Sequence, residues 1–139
     1  MIIDRVRSTV VKRIPITNAA ANYPMALDEA GRRVFIGCRR PAVVLVLDLD
    51  SGAQLGSAPI DGDTDDLFYD AGTRQLFAIC GGGSISIISQ EAADRYAGSR
   101  VPTAAGARTG LFSAELRRLF VAVPHRGGQA AAISIYQIP

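Results

Sequence analysis

Three groups of residues in this 139-residue chain have the types and spacing to do chemistry. The first is Asp61-Gly-Asp-Thr-Asp-Asp66, which sets carboxylates at alternate positions. That is the spacing of the first three ligands of a calcium loop, in which oxygen donors surround a hard cation. The rest of such a loop is missing: its sixth position is Asp66 rather than glycine, and its twelfth is Gly72 rather than glutamate. The plainer reading is an acidic loop that pairs with neighbouring arginines. A third is that crowding raises the pKa of one carboxylate far enough for acid–base work. The second group is the single histidine, His125, in Pro124-His-Arg-Gly-Gly128. It reads either as a hydrogen-bonded loop residue or as a ligand or general base. No Gly-x-Ser-x-Gly run is present to supply a nucleophile beside it. The third group is the arginines, fourteen against the single lysine Lys12. Coding bias accounts for such a ratio; so does selection for the forked anion contacts that arginine makes and lysine does not.

Two further groups carry less. Cys38 and Cys80 stand three residues after Phe35 and Phe77, at matching points of a repeat. Matching points on neighbouring units lie too far apart for the ~5.5 Å Cα spacing of a disulfide. Two buried free thiols are expected, as suits a reducing compartment. Two cysteines and one histidine have no metal-site spacing, so no metal or cofactor is assigned. Gly81-Gly-Gly83 lacks the spacing and the strand-to-helix setting of a phosphate loop.

The elements that must position these groups are written in a repeat. Met25-Ala-Leu-Asp-Glu-Ala-Gly-Arg-Arg-Val-Phe-Ile-Gly-Cys38 returns as Leu67-Phe-Tyr-Asp-Ala-Gly-Thr-Arg-Gln-Leu-Phe-Ala-Ile-Cys80, and again as Gly110-Leu-Phe-Ser-Ala-Glu-Leu-Arg-Arg-Leu-Phe-Val-Ala-Val123. Each copy is a short apolar strand, a polar turn with a basic residue, and a strand built on a phenylalanine. Phe35, Phe77 and Phe120 recur at steps of 42 and 43 residues. A period near 40–45 with several short strands per unit marks a β-propeller blade. Alternation in Ile85-Ser-Ile-Ile88 and Ile133-Ser-Ile-Tyr136 favours strands, and no long stretch carries a 3.6-residue period. A sandwich leaves the 42-residue repeat unexplained, and a solenoid needs a shorter one.

The chain is therefore read as all-β, with blades of four antiparallel strands and an incomplete ring. Residues 1–22 read as an outer half-blade and a connector, with the small residues 17–22 as the connector. Residues 23–59 and 60–102 read as full blades and residues 103–139 as a three-stranded one, thirteen strands in all. Glu91-Ala-Ala-Asp-Arg-Tyr96 has room for one helical turn, too short to stand alone. Phe35, Phe77 and Phe120 are expected to be buried at equivalent sites.

The order of apolar strand, Asp/Glu-x-Gly-x-Arg turn, Arg33-Val-Phe-Ile-Gly37 strand and Val46-Leu-Asp-Leu-Asp-Ser-Gly52 resembles the YVTN-type β-propeller repeat over nearly the whole chain. Pro124-His-Arg-Gly-Gly-Gln129 departs from that pattern as an insertion between the second and third strands of the last unit. The resemblance implies that first strands line a central channel. It also implies that the loops leading into them open on the same face as the loops between second and third strands. That face would then carry Arg39, Arg40, Asp63, Asp65, Arg108, His125 and Arg126, the candidate ligand-binding set. Tyr23, Phe68 and Tyr69 near the channel either pack between blades or stack on a ligand.

Fold does not fix activity. The expected function is a non-catalytic binding or scaffold module that takes an anionic ligand or a peptide on the arginine-bearing face. A metal-assisted, lactonase-like hydrolase using the aspartate loop and His125 is the alternative. A net charge of +2 leaves only a weak case for nucleic acid. The longest apolar run, Pro41-Ala-Val-Val-Leu-Val-Leu47, is too short to span a bilayer, so no membrane partner is expected. Met1-Ile-Ile-Asp-Arg5 meets charge at once and carries no secretion signal, which reads as cytoplasmic; a longer precursor would allow a periplasmic or secreted protein. About three blades cannot bury their own end faces. Self-association, or a second propeller fragment that closes the ring, is expected.

Overall fold

The computed structural model describes residues 1–92 and 95–139. Its strands form four separate antiparallel sheets. A hairpin of β1 (Ile2–Asp4) and β2 (Thr9–Lys12) comes first. The first full sheet is β3 (Ala20–Asp28), β4 (Arg33–Arg40), β5 (Ala42–Asp48) and β6 (Gln54–Pro59). The second is β7 (Thr64–Asp70), β8 (Gln75–Cys80), β9 (Ser84–Gln90) and β10 (Tyr96–Pro102). The third has three strands, β11 (Thr109–Ser113), β12 (Arg118–Val123) and β13 (Ala132–Gln137). Each sheet is a meander in sequence order. The first strands β3, β7 and β11 run beside one another, and the outermost strands β6 and β10 touch. These are propeller blades stacked around an arc, and the ring is not closed.

Neighbouring sheets interdigitate, so the second sheet buries both faces and the first and third each bury one against it. Phe35, Val44, Val46 and Ala58 of the first sheet pack with Leu67, Leu76, Ala78 and Ile88 of the second. On the other face of the second sheet, Phe77, Ile79 and Ile85 pack with Leu119, Val121 and Val123 of the third. Side chains alternate across a strand, so neighbouring positions on β8 serve different interfaces. The outer part of the remaining face of the first sheet is covered by Ile14, Ile16 and Ala19, which follow β2.

Phe35 and Phe77 are each 1% exposed. Phe120 is only half-buried, whereas Leu119 beside it is 1% exposed. The phenylalanine of each copy faces the following sheet, and Phe120 has none to face. Its position in the repeat matches the other two; its burial does not. The small-residue stretch 17–22 also differs from a plain connector, since β3 already starts at Ala20. The bulge in its pairing between Asn22 and Met25 spans Pro24, which cannot donate a ladder hydrogen bond. The helical turn read from Glu91-Ala-Ala-Asp-Arg-Tyr96 lies partly outside the described residues. Cys38 and Cys80 are buried free thiols, and desolvation raises the pKa of both.

Candidate functional site

The loops at one end of the sheets converge on the aspartate loop that leads into β7. Asp63 takes a left-handed backbone, φ 64°, which short polar side chains tolerate. This turn swings its carboxylate over Gly81. A Cβ at Gly81 would sit 2.3 Å from Asp63 Oδ2, so the loop between β8 and β9 needs glycine there. The Gly81-Gly-Gly83 amides are already engaged: Gly81 N–H donates to Asp63 O at 2.9 Å, Gly82 N–H to Gly62 O at 3.2 Å and Gly83 N–H to Cys80 O at 3.0 Å. This glycine run braces the site and offers no anion cradle.

Arg39, at the end of β4, reaches Asp63 Oδ1 through Nη1 at 3.1 Å and Asp65 Oδ1 through Nη2. Its Nε donates to the carbonyl of Thr64 at 3.0 Å. Arg108, just before β11, reaches Asp63 Oδ2 through Nη1 at 2.8 Å and Asp65 Oδ2 through Nε at 3.0 Å. Each carboxylate thus bridges two guanidiniums, and the cluster ties together loops of all three larger sheets. Its two positive and two negative charges cancel. The Arg39 guanidinium also lies 4.6 Å from the centre of the Tyr23 ring, a cation–π stack.

The other aspartates of the loop are drawn elsewhere. Asp61 accepts from Ser84 Oγ and pairs with Arg100 at 2.9 Å. Asp66 Oδ2 accepts the Gly110 N–H at 2.7 Å. Asp63 and Asp65 thus share Arg39 and Arg108 while Asp61 and Asp66 turn to other partners, and no group of three His, Cys, Asp or Glu among the described residues is arranged to hold a metal ion. The arginine-paired loop is what the geometry displays.

An open cleft of about 690 Å³ lies beside the cluster, lined by Asp63, Gly106, Arg108, Pro124, His125 and Arg126 among others. The hairpin between β12 and β13 builds its far wall. Arg126 and Gln129 exchange backbone hydrogen bonds at 3.1 and 3.0 Å, and Gln129 Nε2 donates to Pro124 O at 2.7 Å. His125 and Arg126 are both exposed there. Gly106, φ +84°, brings its backbone under Arg126: a Cβ would stand 3.3 Å from Arg126 Nη1.

Of the seven residues singled out by sequence, Asp63, Arg108, His125 and Arg126 line this cleft, and Arg39 and Asp65 join it through the ionic cluster. Arg40 is exposed at the end of β4, outside both. Adjacent residues on a strand point to opposite faces, so Arg39 and Arg40 could not both reach Asp65. Sequence reasoning missed Gly106, and it missed Tyr23 as the platform under Arg39. The only sequence signal for Tyr23 was an aromatic just ahead of the first strand's Pro24. Tyr69 and Phe68 pack between sheets, with ring centroids 5.2 Å from Phe35 and 6.4 Å from Phe112 respectively.

No family model matches the chain, and no curated protein matches it. Among solved structures it is similar to Kuenenia stuttgartiensis hydrazine synthase, with a TM-score of 0.83 and 12% sequence identity. The likeness covers 97% of this chain and 38% of that one, so this chain spans well under half the length of its structural neighbour. At 12% identity this is a likeness of fold.

Proposed function

We propose that the chain is a non-catalytic β-propeller binding module that takes an anionic ligand, such as an acidic peptide, in the cleft beside the Arg39–Asp63–Asp65–Arg108 cluster. One observation carries the reading: Arg126 projects exposed into the cleft with no ion pair among the described residues, while the neighbouring carboxylates are already matched by guanidiniums. An incoming carboxylate or phosphate meets the forked donor of Arg126, with His125 beside it and Arg108 behind. Asp63 and Asp65, the carboxylates of the aspartate loop nearest the cleft, are each held by two arginines, which favours binding over hydrolysis there. The repeat residues quoted above support placing the module with the YVTN-type propellers.

Isothermal titration with a glutamate-rich peptide and with inorganic phosphate tests this. Binding should weaken with added salt. Arg126→Ala should lower affinity about tenfold or more, the weight of a charge-assisted hydrogen bond. Affinity unchanged by Arg126→Ala would remove this cleft as the site. Calcium- or zinc-dependent ester or lactone hydrolysis abolished by Asp63→Asn would replace the reading with the hydrolase.

A further inference from the structure

The two ends of the arc carry complementary halves of an interface that the chain already makes twice. On the first sheet the cross-strand row Ala26–Phe35–Val46 faces the row Tyr69–Leu76–Ile88 of the second. On the second sheet the row Phe68–Phe77–Ile87 faces the row Phe112–Leu119–Tyr136 of the third. The third copy of the phenylalanine row is Leu111–Phe120–Ile135, and no sheet covers it. Leu111 is 62% exposed and Ile135 58%. The row that would receive it is the first copy of the other kind, Leu27–Val34–Leu47. Its outer part lies under Ile14 and Ile16, but Leu27 and its neighbour Met25 remain exposed. An apolar groove of about 340 Å³ opens there, bounded by Ile2, Ile14, Met25, Val34 and Ile36.

The strand edges match as well. The third sheet ends on β13, whose outer edge is unpaired, so it lacks an outermost strand. The β1–β2 hairpin is a separate two-stranded sheet with no inner strands beside it among the described residues. It is already seated beside the first sheet: Lys12 Nζ donates to the carbonyls of Asp50 and Ser51 at 3.0 and 2.8 Å, and Ile14 packs where a Cβ on Gly52 would meet it at 2.9 Å. Pro15, Pro59 and Pro102 recur at steps of 44 and 43 residues, each just past or at the end of such a strand, which marks β2 as an outermost strand like β6 and β10. One end has inner strands without an outer one, and the other has the outer strand without inner ones.

We infer that a second copy of this chain occupies both ends, so that two copies close one ring of six four-stranded blades. In this ring the Leu111–Phe120–Ile135 row of each chain packs on the Leu27–Val34–Leu47 row of the other. The β2 strand of the receiving chain pairs with the free edge of β13. Continuity with the two internal interfaces argues for this occupant: the surfaces that meet are further copies of surfaces already known to fit. The thirteen strands of the described residues, taken twice, supply the twenty-four that the ring needs and leave β1 of each copy over. β1 is the strand to spare. It has three residues, its pairing with β2 is broken by a bulge between Ile2 and Ile3, and it occupies the place β13 would take. Six blades fall within the four to eight of closed propellers. A head-to-tail contact that closes after two chains leaves no apolar end face exposed. This inference does not rest on the ligand reading: Thr109 and Ala122 bring one edge of the cleft onto the open face of the third sheet, but the test below reads mass and not ligand binding, so the two readings fail separately.

Sedimentation equilibrium or light scattering at micromolar concentration should give twice the chain mass of 14.7 kDa. Ile135→Asp and Met25→Asp, on opposite ends, should each abolish the dimer. Both positions are exposed within the chain, and an unchanged far-UV circular dichroism spectrum checks that the fold survives. Mixing the two variants should restore a dimer, because one of its two interfaces then joins wild-type faces. Deleting residues 1–5 should leave the dimer intact. A folded wild-type monomer at micromolar concentration overturns the inference. So does a dimer that survives both substitutions, or a variant mixture that stays monomeric.

Discussion

The three repeat phenylalanines show what residue spacing specifies and what it omits. Period and hydrophobicity put Phe35, Phe77 and Phe120 at one position of one unit. Burial belongs to the neighbour, and only two of the three have a following sheet within the chain. Phe77→Ala should therefore destabilise by ~3–5 kcal/mol, as for a buried aromatic truncated in a close-packed core. Leu119→Ala should cost more than Phe120→Ala when both are made in the Ile135→Asp background, where the end face stays open. Urea unfolding monitored by circular dichroism measures both; equal costs for the last pair would mean that Phe120 is packed within a single chain. The ionic cluster was half legible in the same sense. Arginines and aspartates on one face could be named from their loops. That two aspartates would each bridge the same two guanidiniums, and that Arg39 rather than Arg40 would be the one engaged, depends on strand alternation at a boundary the sequence leaves loose by a residue.

At the scale of elements, the strands were the most legible feature, because period-two alternation and turn chemistry agree in every unit. The hairpin turns were legible as polar and basic, but not in their backbone. Arg32, Arg74 and Arg117 all take a left-handed conformation, with φ of 52°, 54° and 52°. No residue type at those positions signals it, and the side chains go different ways: Arg32 pairs with Asp50 of its own sheet. Arg117 of the third sheet reaches Asp70 of the second at 3.1 Å, with Asp70 only 3% exposed. Burial alone would raise the Asp70 pKa. Hydrogen bonds from Thr73 Oγ1 at 2.8 Å and Gly72 N–H at 3.0 Å, with the Arg117 charge, outweigh burial and hold it below the ordinary carboxylate range. A carboxyl whose folded pKa is depressed contributes stability that is complete above its unfolded value of about 3.9. That contribution is lost as pH falls through and below this value. Asp70→Asn should destabilise at about pH 6 yet flatten the acid limb of the stability profile toward pH ~3, relative to wild type. Parallel acid limbs for the two proteins, in urea midpoints across that range, would mean that other carboxyls carry the acid sensitivity. The equivalent junction one sheet earlier works differently: Tyr69 donates its hydroxyl to Asp28 at 3.2 Å, and burial with the Asp28 charge pushes the tyrosine up to about 12.

For the whole molecule, the arc sets a gradient of stability that follows from which faces are covered. The second sheet alone lies between two others, and β8 contributes Leu76, Ala78 and Cys80 to one interface and Phe77 and Ile79 to the other. Every residue of β8 from Leu76 to Cys80 is buried. The third sheet has one covered face, and β13 presents a free edge and two exposed isoleucines to solvent. The β1–β2 hairpin has neither a covered face of its own nor inner strands, and a two-stranded ribbon is marginal in water. It holds on through Lys12 and the apolar residues that follow β2. Amide exchange reports such differences, because local openings range from almost no cost at frayed edges up to the full unfolding free energy in the core. In native-state exchange on the monomeric Ile135→Asp variant, the slowest amides should be those of β8 and the strand beside it, β9. The amides of β13 should be intermediate, and those of β1 and β2 should be near the unprotected rate. Wild-type protein at micromolar concentration should differ from this variant mainly at the two ends, with new protection on β13 and β2, where the second copy adds strand pairs, and none on β1. Uniform protection across the monomeric variant would show that the three sheets open as one unit, and that the uncovered end faces cost the molecule less than their exposed leucine, methionine and isoleucine side chains imply.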